Sequence, residues 1–170
     1  MAILTTLRLR LSPFNEGDWP FFLQLRQNHE VMQFMGEVLD KAAIRAIFTR
    51  RCNSPAIFVI RDENGTPLGD IGLQISSKNP HEADVGYALL PEAQGKGFAS
   101  EALGAICDYG FQQLGLWAIN AWVLGDNQGS ARLLEKHGFI RTQVLTKAYR
   151  LNGKDYDDWV YRRENAPTHA

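Results

Sequence analysis

Leucine at 7, 9 and 11 alternates with arginine at 8 and 10, and this period of two predicts a first strand with one apolar face. Asp18 before Trp19-Pro20 reads as an N-cap with proline in the first turn, so a helix is expected through about Gln27. A short helix is expected over His29–Met35. Asp40 caps another, in which Ile44, Ile47 and Phe48 recur at helical spacing. Ala56–Arg61 and Leu68–Ser76 read as strands joined around Asn64-Gly65, two residues that accept positive φ. His81–Leu90 is a strand, Ser100–Leu114 a helix, Ala118–Val123 a strand and Ser130–His137 a helix. Arg141–Arg150 and Lys154–Arg162 close the pattern as a pair of strands about Asn152-Gly153. The sum is an α/β alternation without repeats or linkers.

Composition narrows the class. A chain of 170 residues hides roughly 70% of the surface its unfolded form exposes, enough for one core, so one domain is expected over residues 1–170, with a core at about 7–162. Residues 163–170, polar and carrying Pro167, are expected to be a loose tail. A net charge of −1 and a pI near 6.4 give no general pull toward nucleic acid or anionic membranes. No apolar run approaches the ~20 residues of a membrane span, and the first residues lack a basic segment followed by a long apolar one, so a cytoplasmic location is expected. Cys52 and Cys107 form no metal-type or redox-type pair, and His29, His137 and His169 have no ligand spacing with either; no metal is expected.

The chemistry concentrates at Gln94-Gly95-Lys96-Gly97-Phe98-Ala99, between the run Val85–Leu90 and the helical pattern from Ser100. A strand ending in a glycine-rich turn that opens a helix points several backbone N–H groups outward at the positive end of the helix dipole, which suits a phosphate. A P-loop would need a Ser or Thr where Gly97 stands. A dinucleotide fingerprint would want a carboxylate about 20 residues on, and Gly115–Val123 holds none. Gly95 and Gly97 would let the backbone approach a diphosphate, with the amides from Gln94 to Ala99 donating. Lys96 would add a mobile charge, though a solvated surface lysine would look the same.

The spacing Gln-x-x-Gly-x-Ala instead resembles the pyrophosphate-binding turn of the GCN5-related N-acetyltransferase (GNAT) superfamily, which grips coenzyme A. Asn127-Gln128-Gly129-Ser130 with the following helix and Gly138-Phe139 resembles that family's Asn-x-x-Ser segment and helix end. Leu7–Leu11 and Leu151–Asp158 resemble the branch holding the ribosomal-protein N-terminal (alanine/serine) acetyltransferases. The resemblance covers roughly residues 7–162. It implies a mixed, mostly antiparallel sheet of six to seven strands, splayed at the cofactor and flanked by helices on both faces. It also implies acetyl-CoA as donor, the backbone of Leu89 and Leu90 pairing with the pantetheine arm, and Asn127 holding that arm from the other side. For Asn127 a simple helix-terminal role is the competing reading.

Acyl transfer to an amine needs a neutral nucleophile and a route for protonating the leaving thiolate. The resemblance offers Ser130 for the thiolate, against a first-turn serine that merely satisfies free amides. Asp84 is the candidate base, because the residue two before the Gly-Tyr pair is often acidic in this branch; an exposed strand carboxylate is the alternative, and His81 and Glu82 are weaker candidates. Related ribosomal-protein acetylators often carry a glutamate shortly after the Gly-Phe, whereas this chain reads Gly138-Phe139-Ile140-Arg141-Thr142-Gln143 without a carboxylate. Cys107 reads as core, favouring direct attack in a ternary complex over an acyl-enzyme. Trp117 and Trp122 read as core or cleft wall, while Phe21, Phe22, Phe34, Met35 and Tyr149 are open candidates for the acceptor side. The expected activity is N-acetyl transfer to a small-molecule amine or a protein N-terminus, with homodimers common among relatives. A non-catalytic acyl-CoA sensor and a transferase for a longer acyl group are the rival readings.

Overall fold

A computed structural model describes residues 2–165, with strands in the order β1-β2-β3-β4-β5-β6-β8-β7 in one eight-stranded sheet. Two compact units divide these residues. The first runs to Gly72 and resumes at Tyr87–Ala105. It holds β1 (Leu4–Thr5), β2 (Arg10–Pro13), α1 (Trp19–Gln27), α2 (His29–Met32), α3 (Lys41–Cys52) and β3 (Ile57–Arg61). It also takes most of β4 (Pro67–Ile75), the end of β5 (Glu82–Leu89) and the start of α4 (Phe98–Asp108).

The first strand departs from its expected place. Thr6 N–H donates to the Leu9 carbonyl at 2.9 Å, turning the chain so that β1 and β2 pair as a hairpin with Leu4 opposite Leu11. Leu9 and Leu11 are buried as the alternation implies, but Leu7 sits in the turn at 91% exposure. This extra β1 makes eight strands where six to seven were expected. Asp18 does not cap α1; Asn15 caps the preceding 3₁₀ turn, and Asp18 is buried against Arg61 at 2.8 Å. Asp40 caps α3 as expected, accepting from Ala43 N–H at 2.8 Å. Phe21 and Phe22 join Phe14, Leu25, Ile44 and Phe48 in the core. Beneath them Asp70, 1% exposed, is held by Arg51 at 2.7 Å and Arg26 at 3.5 Å, which supplies the partners a buried carboxylate needs.

The second unit comprises Leu73–Gly86 and the chain from Ile106. The expected helix to Leu114 ends as α-helix at Asp108 and continues as a π turn over Tyr109–Gln113. There follow β6 (Ala118–Leu124), α5 (Gln128–Lys136), β7 (Ile140–Leu151) and β8 (Lys154–Glu164). The β7–β8 turn carries positive φ at both Asn152 (52°) and Gly153 (79°), the geometry the Asn-Gly pair predicts. Because β8 reaches Glu164 and Asn165 N–H donates to Trp117 O at 2.8 Å, residues 163–165 are tied to β6 and the turn before it rather than forming a tail. The rest of the expected tail lies outside the described residues.

Register in this unit places the polar side chains. The parallel ladder of β5 on β6 sets Glu82 beside Ala118 and Asp84 beside Asn120, and the antiparallel ladder of β6 on β8 sets Asn120 beside Arg162 and Trp122 beside Val160. Alternation then turns Asp84, Asn120 and Arg162 to one face, while Ala83, Ile119 and Tyr161 are buried. Trp117 and Trp122, 59% and 54% exposed, are not core residues.

Candidate active site

The glycine turn lies in the first unit. After β5 a 3₁₀ turn (Pro91–Ala93) leads to Gly95 at φ 74° and Gly97 at φ 83°, and α4 opens at Phe98. Both glycines occupy the left-handed region that costs other residues about 1–2 kcal/mol, and a Cβ on Gly95 would meet nothing within 4 Å. The first helical bond in this stretch runs from Glu101 N–H to Gly97 O at 3.1 Å, so the N–H groups from Gly95 to Ala99 have no hydrogen-bond acceptor among the described residues. This is a concave row of amide donors at a helix N-terminus, a shape and polarity that fit a diphosphate.

Two expected details change. Gln94 donates its amide to Pro91 O at 3.1 Å and its side-chain Nε2 to Leu89 O at 3.1 Å, so it braces the turn instead of offering its N–H outward. Leu90 N–H donates to Leu68 O at 2.8 Å and its carbonyl accepts from Ala93 N–H at 2.9 Å. The Leu90 N–H is therefore committed to β4, while the carbonyls of Leu89 and Leu90 each keep a second lone pair for a further donor.

Arg8, read from sequence merely as the polar face of a strand, reaches the turn. Its Nε pairs with Glu101 at 2.9 Å, its Nη1 donates to Lys96 O at 2.9 Å, and its guanidinium lies 4.4 Å over the Phe98 ring. Glu101 also accepts from Arg8 N–H at 2.7 Å and from the Thr6 hydroxyl. Burial alone would raise the Glu101 pKa, but the bonds from Thr6 and Arg8 outweigh it and hold the carboxylate ionised.

In the second unit Asp84, Asn120, Trp122, Thr142, Gln143, Val160 and Arg162 line a cavity of about 440 Å³. Glu82 beside it accepts from Arg162 Nη1 at 2.6 Å, Asn120 at 3.2 Å and Asn79 at 3.2 Å, and these bonds push its pKa down. Asp84 has no such partner: its carboxylate makes no hydrogen bond or ion pair among the described residues. Asp84 is an exposed strand residue, and its pKa is raised first by partial desolvation at the cavity and then by the Glu82 charge. An unpaired carboxylate with a raised pKa in a pocket is suited to receiving a proton. Sequence alone missed Arg162, whose only local signal is its place on a strand.

The Asn127 side chain accepts from Ser130 N–H at 3.2 Å and so caps α5, with Ser130 half-buried in the helix's first turn. Cys107 is fully buried and its thiol is pushed up to about 11, chiefly by burial, so it is a packing residue and not a nucleophile. Neither cysteine is in a disulfide, no cluster of metal-ligating side chains occurs among the described residues, and no described helix is long and apolar enough to cross a membrane.

Comparison with known proteins agrees with this geometry. Residues 8–140 match the family model described as "Acetyltransferase (GNAT) domain". The chain is 42% identical over 168 residues to the uncharacterized N-acetyltransferase YoaA of Bacillus subtilis, covering 94% of each chain. Its fold is shared with a GNAT-family acetyltransferase of Bacillus anthracis (TM-score 0.87, 23% identity, 96% and 98% of the two chains). It is shared equally with the spermidine N-acetyltransferase of Vibrio cholerae solved with CoA and spermine (TM-score 0.85, 24% identity, 94% and 96%). By that family model and these relatives the chain belongs to the GNAT acetyltransferase family and is an acyltransferase.

Proposed function

We propose that the chain moves an acetyl group from acetyl-CoA to a primary amine by direct attack in a ternary complex, acting as a single catalytic domain. The row of unbonded amides from Gly95 to Ala99, opened by two positive-φ glycines, carries this reading. Acetyl-CoA would supply the activated thioester. The turn would hold its diphosphate, Gln94 would keep the turn braced on β5, and Lys96 would add charge.

Asp84 would accept the proton that the acceptor nitrogen gives up as it bonds to carbon, and its raised pKa strengthens it as a base. Ser130 would hydrogen-bond the departing thiolate, with Asn127 fixing the first turn that carries it. Glu82 is already paired with Arg162, which leaves Asp84 as an unmatched cavity carboxylate among the described residues. That balance suits a singly charged ammonium whose carbon body rests on Trp122 and Val160. The V. cholerae neighbour, which holds spermine, is consistent with an alkylamine acceptor. Burial of Cys107 argues against an acetylated-cysteine route.

The test is ligand-dependent stabilisation followed by turnover. Coenzyme A at a hundredfold excess over its Kd should stabilise the protein by about 2.7 kcal/mol, and Gly97→Glu should abolish the effect. Thiol release from acetyl-CoA across a panel of alkylamines, amino acids and N-terminal peptides then identifies the acceptor. CoA stabilisation without turnover on any amine would make the chain an acyl-CoA-binding module instead.

A further inference from the structure

Arg8 is held in a way that its local sequence does not explain. It lies 88 residues from Lys96, yet one of its Nη atoms donates to the Lys96 carbonyl and its Nε pairs with Glu101, in the first turn of α4. Its guanidinium plane is set by the Phe98 ring below it at 4.4 Å. These contacts use Nε and Nη1. The remaining nitrogen, Nη2, lies 3.2 Å from the point where a Cβ on Gly97 would stand, and has no partner among the described residues. The side chain is 38% exposed, and this edge lies beside Gly97.

An arginine fixed on three sides with one donor edge turned to a row of unbonded amides has the geometry of an anion clamp. Guanidinium groups bind phosphate oxygens through parallel N–H donors, and pre-fixing the group removes much of the entropy cost of ordering it. A lysine in the same place would give a point charge without the fork. Had the contact been only structural, saturating Glu101 and Lys96 would suffice and Nη2 would have no reason to face Gly97. Thr6 and the Arg8 backbone both bind Glu101, so the 6–9 turn is anchored to α4 even without the Arg8 side chain.

We infer that Arg8 is a diphosphate-binding residue of the donor site, delivered from the N-terminal hairpin and clamped over the glycine turn by Glu101, Lys96 and Phe98. The inference rests on the coenzyme A reading above. It also gives the β1–β2 hairpin a task in donor recognition, which the glycine turn alone does not require.

The test is titration calorimetry of CoA and of 3′-dephospho-CoA against the full chain, Arg8→Gln and Glu101→Gln. Charge-assisted bonds of this kind predict a roughly ten- to hundredfold weaker Kd for Arg8→Gln, equal for both ligands because both carry the diphosphate. Glu101→Gln loosens the clamp but keeps the Arg8 cation, so its Kd should weaken clearly less than that of Arg8→Gln. Arg8→Gln binding with unchanged Kd overturns the inference. A loss seen only with CoA assigns Arg8 to the 3′-phosphate and overturns the diphosphate placement. An equal loss in Glu101→Gln makes Arg8 a brace of the turn and also overturns it. If the parent chain binds neither ligand, the coenzyme A reading itself fails, a result distinct from any of these.

Discussion

Gly65 and Gly95 form a matched pair of perturbations. Their φ values, 81° and 74°, are nearly the same, and an added Cβ at either position would meet nothing within 4 Å. Alanine at each site therefore pays the same backbone cost, about 1–2 kcal/mol, without a clash. For a chain of this size each kcal/mol is worth roughly 2–4 °C, so both variants should melt roughly 2–8 °C lower than the parent without ligand. They should part when CoA is added. Gly65 lies in the Asp62–Thr66 turn between β3 and β4 and has no part in the site, so Gly65→Ala should keep the full ligand-induced rise. At Gly95 the empty space is the cradle itself, and a methyl there separates the diphosphate from one or two amides. At about 1.5–3 kcal/mol for each bond to a charged group, a hundredfold loss of affinity is expected. CoA at 100 times the parent Kd would then contribute about 0.4 kcal/mol in place of about 2.7. Scanning calorimetry of the three proteins with and without CoA measures both effects. Equal ligand-induced shifts in Gly95→Ala and the parent would refute the cradle; a normal melting temperature for either free variant would refute the strain argument.

Two predictions concern the catalytic groups. Asp84→Asn should lower kcat/KM by roughly 10²–10⁴-fold, and the parent's acid limb should report a pKa above the ordinary carboxylate range; an unchanged pH profile in the variant would remove Asp84 as the base. Because the folded-state pKa of Asp84 is raised, its ionised form costs stability above that pKa and the cost vanishes below the unfolded value. Asp84→Asn should accordingly melt higher than the parent near pH 7 and equally near pH 3, read by calorimetry at the two pH values. Ser130→Ala should lower kcat about tenfold or more with CoA affinity nearly unchanged, whereas a loss confined to affinity would leave Ser130 as a helix-capping residue.

Local signals carried much of the fold. The Asn152-Gly153 turn, the Asp40 cap and the glycines at 95 and 97 were all legible because each states a steric or hydrogen-bonding need met within a few residues. Errors arose where a distant group competed. Asp18 looks like a cap in sequence, but Arg61, 43 residues away, binds it with two hydrogen bonds. Leu7 fits an alternating strand, yet Glu101 pins the 6–9 turn and leaves it in solvent. Gln94 reads as an outward donor only until the Leu89 carbonyl is known to lie within reach of its side chain.

The amino-acid sequence by itself determined the glycine turn, because backbone conformations that only glycine adopts easily and a helix start are written in adjacent residues. Tertiary structure alone decided which charges remain unmatched. Arg162 satisfies Glu82 across 80 residues and leaves Asp84 without a partner among the described residues, while Arg8 crosses 88 residues to the glycine turn. Ion pairing depends on distances of a few ångströms set by strand register and hairpin placement, and no periodicity along the chain encodes them.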